Sequence, residues 1–272
     1  MPIILQTEKL TRCFGQLKAV DSLTLGVSEQ EVFGLLGPNG AGKTTTIKML
    51  TTLLPPTSGT ASVAGYDIRH QAAQVRRIIG YVPQLLSADG TLTGYENLLV
   101  FAKLYDLPRG EREERIHDAL ELMGLADAGD KMVKTYSGGM IRRLEIALSM
   151  LHRPPVLFLD EPTVGLDPVA RHTVWQHIEQ LRTEFGMTMV LTTHYMEEAD
   201  SLCDRVAIMH LGVVAAIGSP AELKATVAAE SGPGAAAPTM DDVFAHYSGA
   251  LLESGGSFRE TSRTRRVARR LG

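Results

Sequence analysis

A glycine-rich loop that ends in lysine and threonine carries the most specific chemistry in this chain. Gly37 to Thr44 read GPNGAGKT, which matches the pattern G-x-x-x-x-G-K-[ST] in full. Glycines let backbone N–H groups turn toward phosphate oxygens, and the start of a following helix adds positive potential. We expect Lys43 to reach the β- and γ-phosphates of a nucleotide, and the Thr44 hydroxyl to ligate Mg²⁺. A chance glycine-rich turn is disfavoured, because an apolar run precedes the loop and a helical pattern follows it.

A pair of acidic residues is the second candidate site. Asp160 and Glu161 directly follow the apolar run Val156–Leu159, which is typical of a parallel strand covered on both faces. An acid at the carboxyl end of such a strand is where Mg²⁺ needs a second protein contact. Glu161 can orient or deprotonate an attacking water. A surface acidic pair is the alternative, but the apolar run places these two residues at a strand end.

A second predicted helix start with anion-binding character lies shortly before Asp160. There, Ser137-Gly138-Gly139-Met140 combine a serine with two glycines at the beginning of a helical pattern, and backbone N–H groups at such a position attract anions. A phosphate-binding loop with an acidic pair is compatible with many nucleotide hydrolases. The additional helix start narrows that choice.

The elements that must position these residues follow an α/β pattern. Short apolar or alternating runs at Ile3–Leu5, Leu23–Val27 and Val32–Leu36 predict strands. A helix is expected over Gly42–Leu53, ended by Pro55-Pro56. Three consecutive helical patterns between residues 95 and 151 predict a helical subdomain inserted into the core. Further along, SGPGAAAP is typical of a linker, and Met240–Tyr247 is a short amphipathic piece.

Composition limits the class of protein. The chain has 272 residues, of which 44% are hydrophobic, enough to bury the core of one large domain. A formal net charge of −4 does not favour nucleic-acid binding. Cys13 and Cys203 fit neither a disulfide framework nor a metal site, as expected of reduced thiols in a cytosolic protein. The first residues do not follow the pattern of a signal peptide, so we expect none, and no apolar run in this sequence approaches the roughly 18 residues that cross a bilayer.

The end of the chain is strongly basic. Between Arg259 and Gly272 it carries six arginines against one acidic residue, Glu260. Two interpretations stay open: a solvated tail, or a segment that contacts anionic lipid headgroups or an acidic partner.

Together the motifs resemble the ATP-binding cassette (ABC) family of transporter ATPases over residues 1–230. GPNGAGKTT resembles its Walker A motif, YVPQ its Q-loop, YSGGM its signature, VLFLDEP its Walker B, GLDP its D-loop and TTHYMEEAD its switch-histidine region, in family order. The resemblance implies a P-loop α/β core with a parallel sheet, an N-terminal antiparallel β-subdomain and a helical subdomain at about residues 90–151. Residues 231–272 would form a linker and an Arg-rich extension.

The resemblance also implies roles for single positions, with ATP and Mg²⁺ as cofactors. It assigns ATP contacts to Phe14, Gly37, Pro38, Asn39, Gly40, Ala41, Gly42, Lys43, Thr44 and Thr45. It assigns the Mg²⁺ to Thr44, Gln84 and Asp160, and catalysis to Glu161, His194 and Lys43. It implies that Ser137, Gly138, Gly139 and Met140 contact ATP bound to the opposite subunit, with Asp167 at the dimer interface. Phe14 would stack on adenine, and its alternative is a plain core residue.

A closer resemblance follows from departures in the signature, where Tyr136 and Met140 replace Leu and Gln of the commoner LSGGQ. With the tail TMDDVFAHYSG, they resemble bacterial export ATPases typified by the daunorubicin and doxorubicin resistance subunits. This implies ATP-driven export of a hydrophobic drug, antibiotic, natural product or lipid-like molecule through a separate transmembrane permease. It also implies a pair of ATP-binding subunits, expected to be a homodimer, held peripherally at the cytoplasmic face of the membrane.

Three alternatives remain within the wider family. An ABC importer uses the same motifs. A DNA-repair ATPase normally carries a long coiled coil or a zinc insertion, for which the segment from Thr44 to Ser137 is too short and has no Cys cluster. A translation factor normally carries two cassettes, whereas this sequence shows one P-loop. The sequence does not identify the cargo.

Overall fold

The structure is a computed structural model that describes residues 2–231 and 236–253. In chain order its strands are β1 (Ile3–Phe14), β2 (Leu17–Ser28), β3 (Val32–Leu36), β4 (Ser58–Val63), β5 (Tyr66–Asp67), β6 (Ile79–Val82), β7 (Val156–Asp160), β8 (Thr188–Thr193), β9 (Arg205–His210) and β10 (Val213–Gly218). Its helices are α1 (Lys43–Leu50), α2 (Ala72–Ile78), α3 (Gly94–Leu104), α4 (Arg109–Leu122), α5 (Gly138–Met150), α6 (Pro168–Phe185), α7 (Met196–Leu202), α8 (Pro220–Ser231) and α9 (Met240–Glu253). The expected α/β class is confirmed.

The chain divides into two compact units. The first joins the chain up to Val75 to the chain from Thr192 onward, and the second comprises Arg76–Leu191. In the first unit, β2, β1, β4 and β5 form an antiparallel sheet in that order, as expected for the N-terminal β-subdomain. Also in this unit, β3 pairs with β9 in parallel and β9 pairs with β10 antiparallel.

The hairpin of β1 and β2 is much longer than the sequence predicts. Each strand has 12 residues, whereas only Ile3–Leu5 and Leu23–Val27 were expected. The register shifts repeatedly along the pair, and Lys9 and Ser22 have positive φ angles of 48° and 53°. Such bulges interrupt the alternation of apolar and polar residues by which a strand is recognised.

Helix α1 is shorter than expected and ends before the two prolines. It stops at Leu50, and Thr52 has a φ of 63°, outside the helical region. The Thr51 hydroxyl donates to the Ile47 carbonyl at 2.9 Å. The prediction that Pro55-Pro56 ends this helix was therefore wrong, because the backbone turns away earlier.

In the second unit, β6 and β7 pair in parallel, and α5 packs against β6 and against α3, α4 and α6. The three predicted helices are present as α3, α4 and α5. All five residues of β7 are buried, as a strand covered on both faces requires. A Cβ on Gly80 of β6 would lie 2.3 Å from the Ser149 carbonyl oxygen, so this close approach of α5 to β6 requires glycine.

The C-terminal helix α9 packs within the first unit against α7, α8, β9 and β10, with Met240 and Val243 buried. It extends beyond the expected piece Met240–Tyr247. The Arg-rich segment from Arg259 to Gly272, and residues 232–235 of the expected linker, lie outside the described residues. In the part of the chain that is described, none of the helices has the length and apolar character of a membrane span.

Candidate functional site

The phosphate-binding loop lies between β3 and α1 in the first unit. Gly40 and Gly42 have φ angles of 82° and 107°, which side chains with a Cβ rarely adopt. A Cβ on Gly37 would lie 2.2 Å from the Met209 carbonyl oxygen. Gly42 is the N-cap of α1 and makes no side-chain cap hydrogen bond, and backbone N–H groups at such a helix start attract anions.

Lys43 is folded back over this loop. The residue is only 4% exposed, and its Nζ donates to the carbonyls of Gly37 at 2.7 Å and Pro38 at 3.3 Å. The loop is also tied to the turn after β9, because the Gly212 N–H donates to the Ala41 carbonyl at 3.0 Å. The ammonium group is thus placed at the loop that the sequence predicts to bind phosphates, where it can act as a point charge. Asn39 is exposed and Thr44 half-buried.

Phe14 and His194 are the remaining site residues of the first unit. Phe14 ends β1 and is 43% exposed, so it is not the plain core residue that the alternative predicted. The Arg12 guanidinium carbon lies 4.7 Å from the centroid of the Phe14 ring. His194 directly follows β8, as expected, and its ring centroid lies 4.3 Å from that of Tyr195.

The acidic pair lies in the second unit at the carboxyl end of β7. Asp160 and Glu161 are 1% and 6% exposed, which rules out a surface acidic pair. Gln84 Nε2 donates to Glu161 Oε2 at 3.0 Å. Glu161 has a φ of 49°, a left-handed conformation that costs a non-glycine residue about 1–3 kcal/mol. Such strain persists only where surrounding contacts hold the backbone in place.

The charge of Asp160 acts on a neighbouring tyrosine. Burial of Tyr81 itself, and then the negative charge of Asp160, raise the pKa of Tyr81 to about 12. Asp160, the Thr44 hydroxyl and the Gln84 amide offer oxygen donors, which Mg²⁺ prefers. Because Gln84 Nε2 donates to Glu161, the other amide atom of Gln84, Oε1, is the one that could face a cation. These three side chains therefore offer the type of donor atom that suits Mg²⁺.

The signature residues begin α5 in the second unit. Ser137 caps the helix, and its Oγ accepts from the Met140 N–H at 3.3 Å. Ser137 and Gly138 are exposed, so this helix start can meet a ligand brought by another molecule. A Cβ on Gly139 would lie 3.0 Å from Ala170 Cβ, which disfavours a larger residue there.

Tyr136, which departs from the commoner leucine, is buried. Its hydroxyl donates to the Ala128 carbonyl at 2.6 Å. Asp167 is exposed and caps α6, accepting from the N–H groups of Val169 at 3.0 Å and Ala170 at 2.9 Å. Its carboxylate therefore has a local structural task in addition to the interface role that the sequence predicts.

Two buried charged residues near this site were missed by the sequence analysis. Arg142 and Glu145 lie on α5 with side chains only 5% and 1% exposed, and they form an ion pair of 3.1 Å. A signal was present, since charged residues rarely occupy the buried face of a helix without a partner. Leu144 and Leu148 of the predicted apolar stripe are buried as well.

A P-loop between β3 and α1, an acidic pair after a buried strand and a serine-glycine helix start define a nucleotide-hydrolysing ATPase of the cassette type. The chain belongs to the ABC transporter family, whose sequence model matches residues 20–164. It is therefore an ATP-binding, ATP-hydrolysing member of that family.

Curated relatives cover most of the chain. The linearmycin resistance ATP-binding protein LnrL of Bacillus subtilis (strain 168) is 42% identical over 220 residues, which are 81% of this chain and 70% of that protein. The daunorubicin/doxorubicin resistance ATP-binding protein DrrA of Streptomyces peucetius is 46% identical over 223 residues, 82% of this chain and 67% of that protein.

Solved structures agree with the fold. An ATP-binding subunit of an ABC transporter superposes with a TM-score of 0.78 at 29% identity, covering 90% of this chain and 99% of that one. CbiO1 of Clostridium perfringens, part of the transporter complex cbiONQ, gives a TM-score of 0.75 at 29% identity over 84% of this chain and 94% of its own. The expected ABC ATPase fold is confirmed.

Proposed function

We propose that this chain powers the export of a hydrophobic drug, antibiotic, natural product or lipid-like molecule through a separate transmembrane permease. The observation that carries the proposal is the 42–46% identity, over more than four fifths of the chain, to ATP-binding proteins named for resistance to linearmycin and to daunorubicin and doxorubicin. A third relative, YbhF of Escherichia coli (strain K12), is named a probable multidrug ABC transporter ATP-binding protein and is 40% identical over 241 residues.

The residues of the first unit that are assigned to ATP each have one proposed role. Loop N–H groups between Gly37 and Thr45 bind the phosphates, and Lys43 bridges the β- and γ-phosphates. The exposed ring of Phe14 stacks on adenine. This role is supported by the position of Arg12 over the ring, which restrains its orientation. His194 contacts the γ-phosphate and stabilises charge that develops there.

The acidic pair, Asp160 and Glu161, takes part in the proposed hydrolysis of ATP. Thr44, Gln84 and Asp160 would hold Mg²⁺, which when bound supplies positive charge next to the β- and γ-phosphates. Glu161 orients the attacking water and accepts its proton. The hydrogen bond from Gln84 supports this assignment, because it fixes the direction of the Glu161 carboxylate.

The active assembly in this proposal is a head-to-tail pair of ATP-binding subunits, taken to be two copies of this chain. Ser137, Gly138, Gly139 and Met140 of one copy bind the γ-phosphate of ATP held by the P-loop of the other, while Asp167 lies at the interface. The exposure of Ser137 and Gly138 at the start of α5 supports this. Hydrolysis removes the phosphate bridge, and the pair relaxes.

The proposal places the chain at the cytoplasmic face of the membrane, held there by the permease. The Arg-rich segment from Arg259 to Gly272 would add attraction to anionic headgroups. If the chain without this segment is recovered with membranes in the same amount and supports the same transport, the segment has no role in docking.

A transport assay tests the proposed direction and cargo class. The chain is co-purified with the membrane protein encoded beside it and reconstituted into vesicles with the ATPase outward, and daunorubicin serves as a fluorescent probe. We expect ATP-dependent accumulation of the dye in the lumen and stimulation of ATP turnover, both lost with Glu161→Gln. Failure to co-purify, or ATP turnover without accumulation of any member of a hydrophobic compound panel, would contradict export.

A further inference from the structure

The buried guanidinium of Arg142 donates to three backbone carbonyls from two separate stretches of the second unit. Nε donates to the Pro162 carbonyl at 2.7 Å, Nη1 to the Pro83 carbonyl at 2.7 Å and Nη2 to the Asp160 carbonyl at 3.0 Å. A planar guanidinium with donors in a fixed fork can serve several acceptors at once, which a lysine ammonium on a flexible chain does less well.

These carbonyls flank the two residues assigned to water activation. Asp160 and Pro162 stand directly before and after Glu161, and Pro83 directly precedes Gln84. Arg142 thus holds the backbone on both sides of Glu161, the residue with the left-handed φ of 49°. It also holds the backbone next to the donor of the 3.0 Å hydrogen bond from Gln84 to Glu161.

Glu145 completes the arrangement one turn further along α5. Its Oε2 accepts from Arg142 Nη1 at 3.1 Å, which orients the guanidinium and balances its buried charge. Its Oε1 accepts from the Ser87 N–H and from the Ser87 hydroxyl, the latter at 3.2 Å. The stretch around Gln84 is therefore tied to α5 at two places, Pro83 and Ser87.

We propose that Arg142 is a positioning residue for ATP hydrolysis, and that its guanidinium sets the backbone of Glu161 and Gln84 so that the attacking water is aligned. The proposal rests on the proposed role of Glu161 as the base. Arg142 lies in the second turn of α5, the helix that Ser137 caps. The same helix thus carries the contact offered to a partner's nucleotide and the support of this chain's own base.

The test compares Arg142→Lys with Arg143→Lys in the full chain. Arg143 is a matched control, because its Nη1 also donates to backbone carbonyls, those of Met123 at 2.7 Å and Gly124 at 3.2 Å, at the end of α4. For Arg142→Lys we expect kcat for ATP hydrolysis to fall by about 10- to 100-fold, the effect of a small misplacement of a reacting group. KM for ATP, and ATP affinity measured without Mg²⁺, should stay within about twofold. Arg143→Lys should retain kcat within about twofold.

Testing Arg142→Lys in the Glu161→Gln variant distinguishes the positioning role of Arg142 from the role of Glu161 as the base. In Glu161→Gln, adding Arg142→Lys should change the single-turnover rate by less than about twofold, because residues acting through one group are not additive. Normal ATP turnover by Glu161→Gln alone would show that Glu161 is not the base, independently of the result for Arg142. An inactive Glu161→Gln together with an Arg142→Lys of near-normal kcat would overturn the positioning role and leave the base in place.

Loss of folding is separated from loss of alignment by thermal unfolding of each variant. A fall in kcat that Arg143→Lys reproduces, or that comes with an equal loss of ATP affinity, would show a purely structural residue and overturn the proposal. Should Arg142→Lys not fold, the double variant Arg142→Gln with Glu145→Gln replaces it. That variant leaves no buried charge unpaired, and its kcat decides by the same criterion.

Discussion

At the residue scale, the proposed hydrolysis of ATP depends most on Glu161. Its carboxylate is buried, is oriented by Gln84 and sits on a strained backbone. Removing the charge in Glu161→Gln preserves the shape of the side chain but not its ability to take a proton. We expect kcat to fall by about 100- to 10,000-fold, the usual contribution of a general base.

The measurement for this prediction is steady-state phosphate release, paired with calorimetric titration of ATP. Glu29→Gln, at an exposed position, is the control. ATP binding should be retained by both variants, because the P-loop contacts are untouched. Ordinary turnover in Glu161→Gln would mean that another group activates the water.

Some residues of the site can be predicted from the sequence, and others cannot. The P-loop and the acidic pair are local patterns, so their types and spacing alone place them at a helix start and a strand end. Arg142 was not predicted, because its acceptors are backbone carbonyls of Pro83, Asp160 and Pro162. Every residue has a carbonyl, so such contacts have no sequence signature and exist only once the chain has folded.

At the element scale, the start of α5 depends on Tyr136. The side chain is buried and its hydroxyl donates to the Ala128 carbonyl at 2.6 Å. Tyr136→Phe should lower the free energy of unfolding by about 1–3 kcal/mol, the cost of leaving a buried acceptor without its partner. Because Ser137 and the two glycines remain, kcat should stay within about twofold.

Urea denaturation followed by circular dichroism measures this change, with Tyr66→Phe in β5 as the control. Equal midpoints for Tyr136→Phe and the unmodified chain would show that the hydroxyl contributes nothing. A large loss of kcat would show that Tyr136 acts on the nucleotide site and not only on the helix.

The sequence predicts helices and strands well where the apolar pattern is regular, and poorly where bulges interrupt that pattern. Helices α3, α4 and α5 follow from apolar periodicity, whereas the bulged hairpin of β1 and β2 does not. Helix α8 was missed although its signal is present. Ser219 and Glu222 form a capping box, with the Ser219 N–H donating to Glu222 Oε2 at 2.8 Å and the Glu222 N–H donating to Ser219 Oγ at 3.2 Å.

At the scale of the whole molecule, the chain carries one P-loop in its first unit and one exposed signature helix start in its second. The sequence predicts the order of these motifs but not the length of α9 or its packing against α7, α8, β9 and β10. Packing of a terminal helix depends on contacts between residues far apart in sequence. The predicted boundaries, 1–230 for the ATP-binding domain and 231–272 for linker and extension, stay predictions.

The central claim is that two copies share each ATP between Lys43 of one and Ser137 of the other. Lys43→Ala and Ser137→Arg chains are purified separately and then mixed in equal amounts at constant total concentration. In a mixed pair, one of the two shared sites keeps both residues intact, whereas neither variant alone forms any intact site. ATP turnover of the mixture should recover to about a quarter of that of the unmodified chain, since half of the pairs are mixed and each has one intact site. A mixture no more active than its separate components would contradict the shared site.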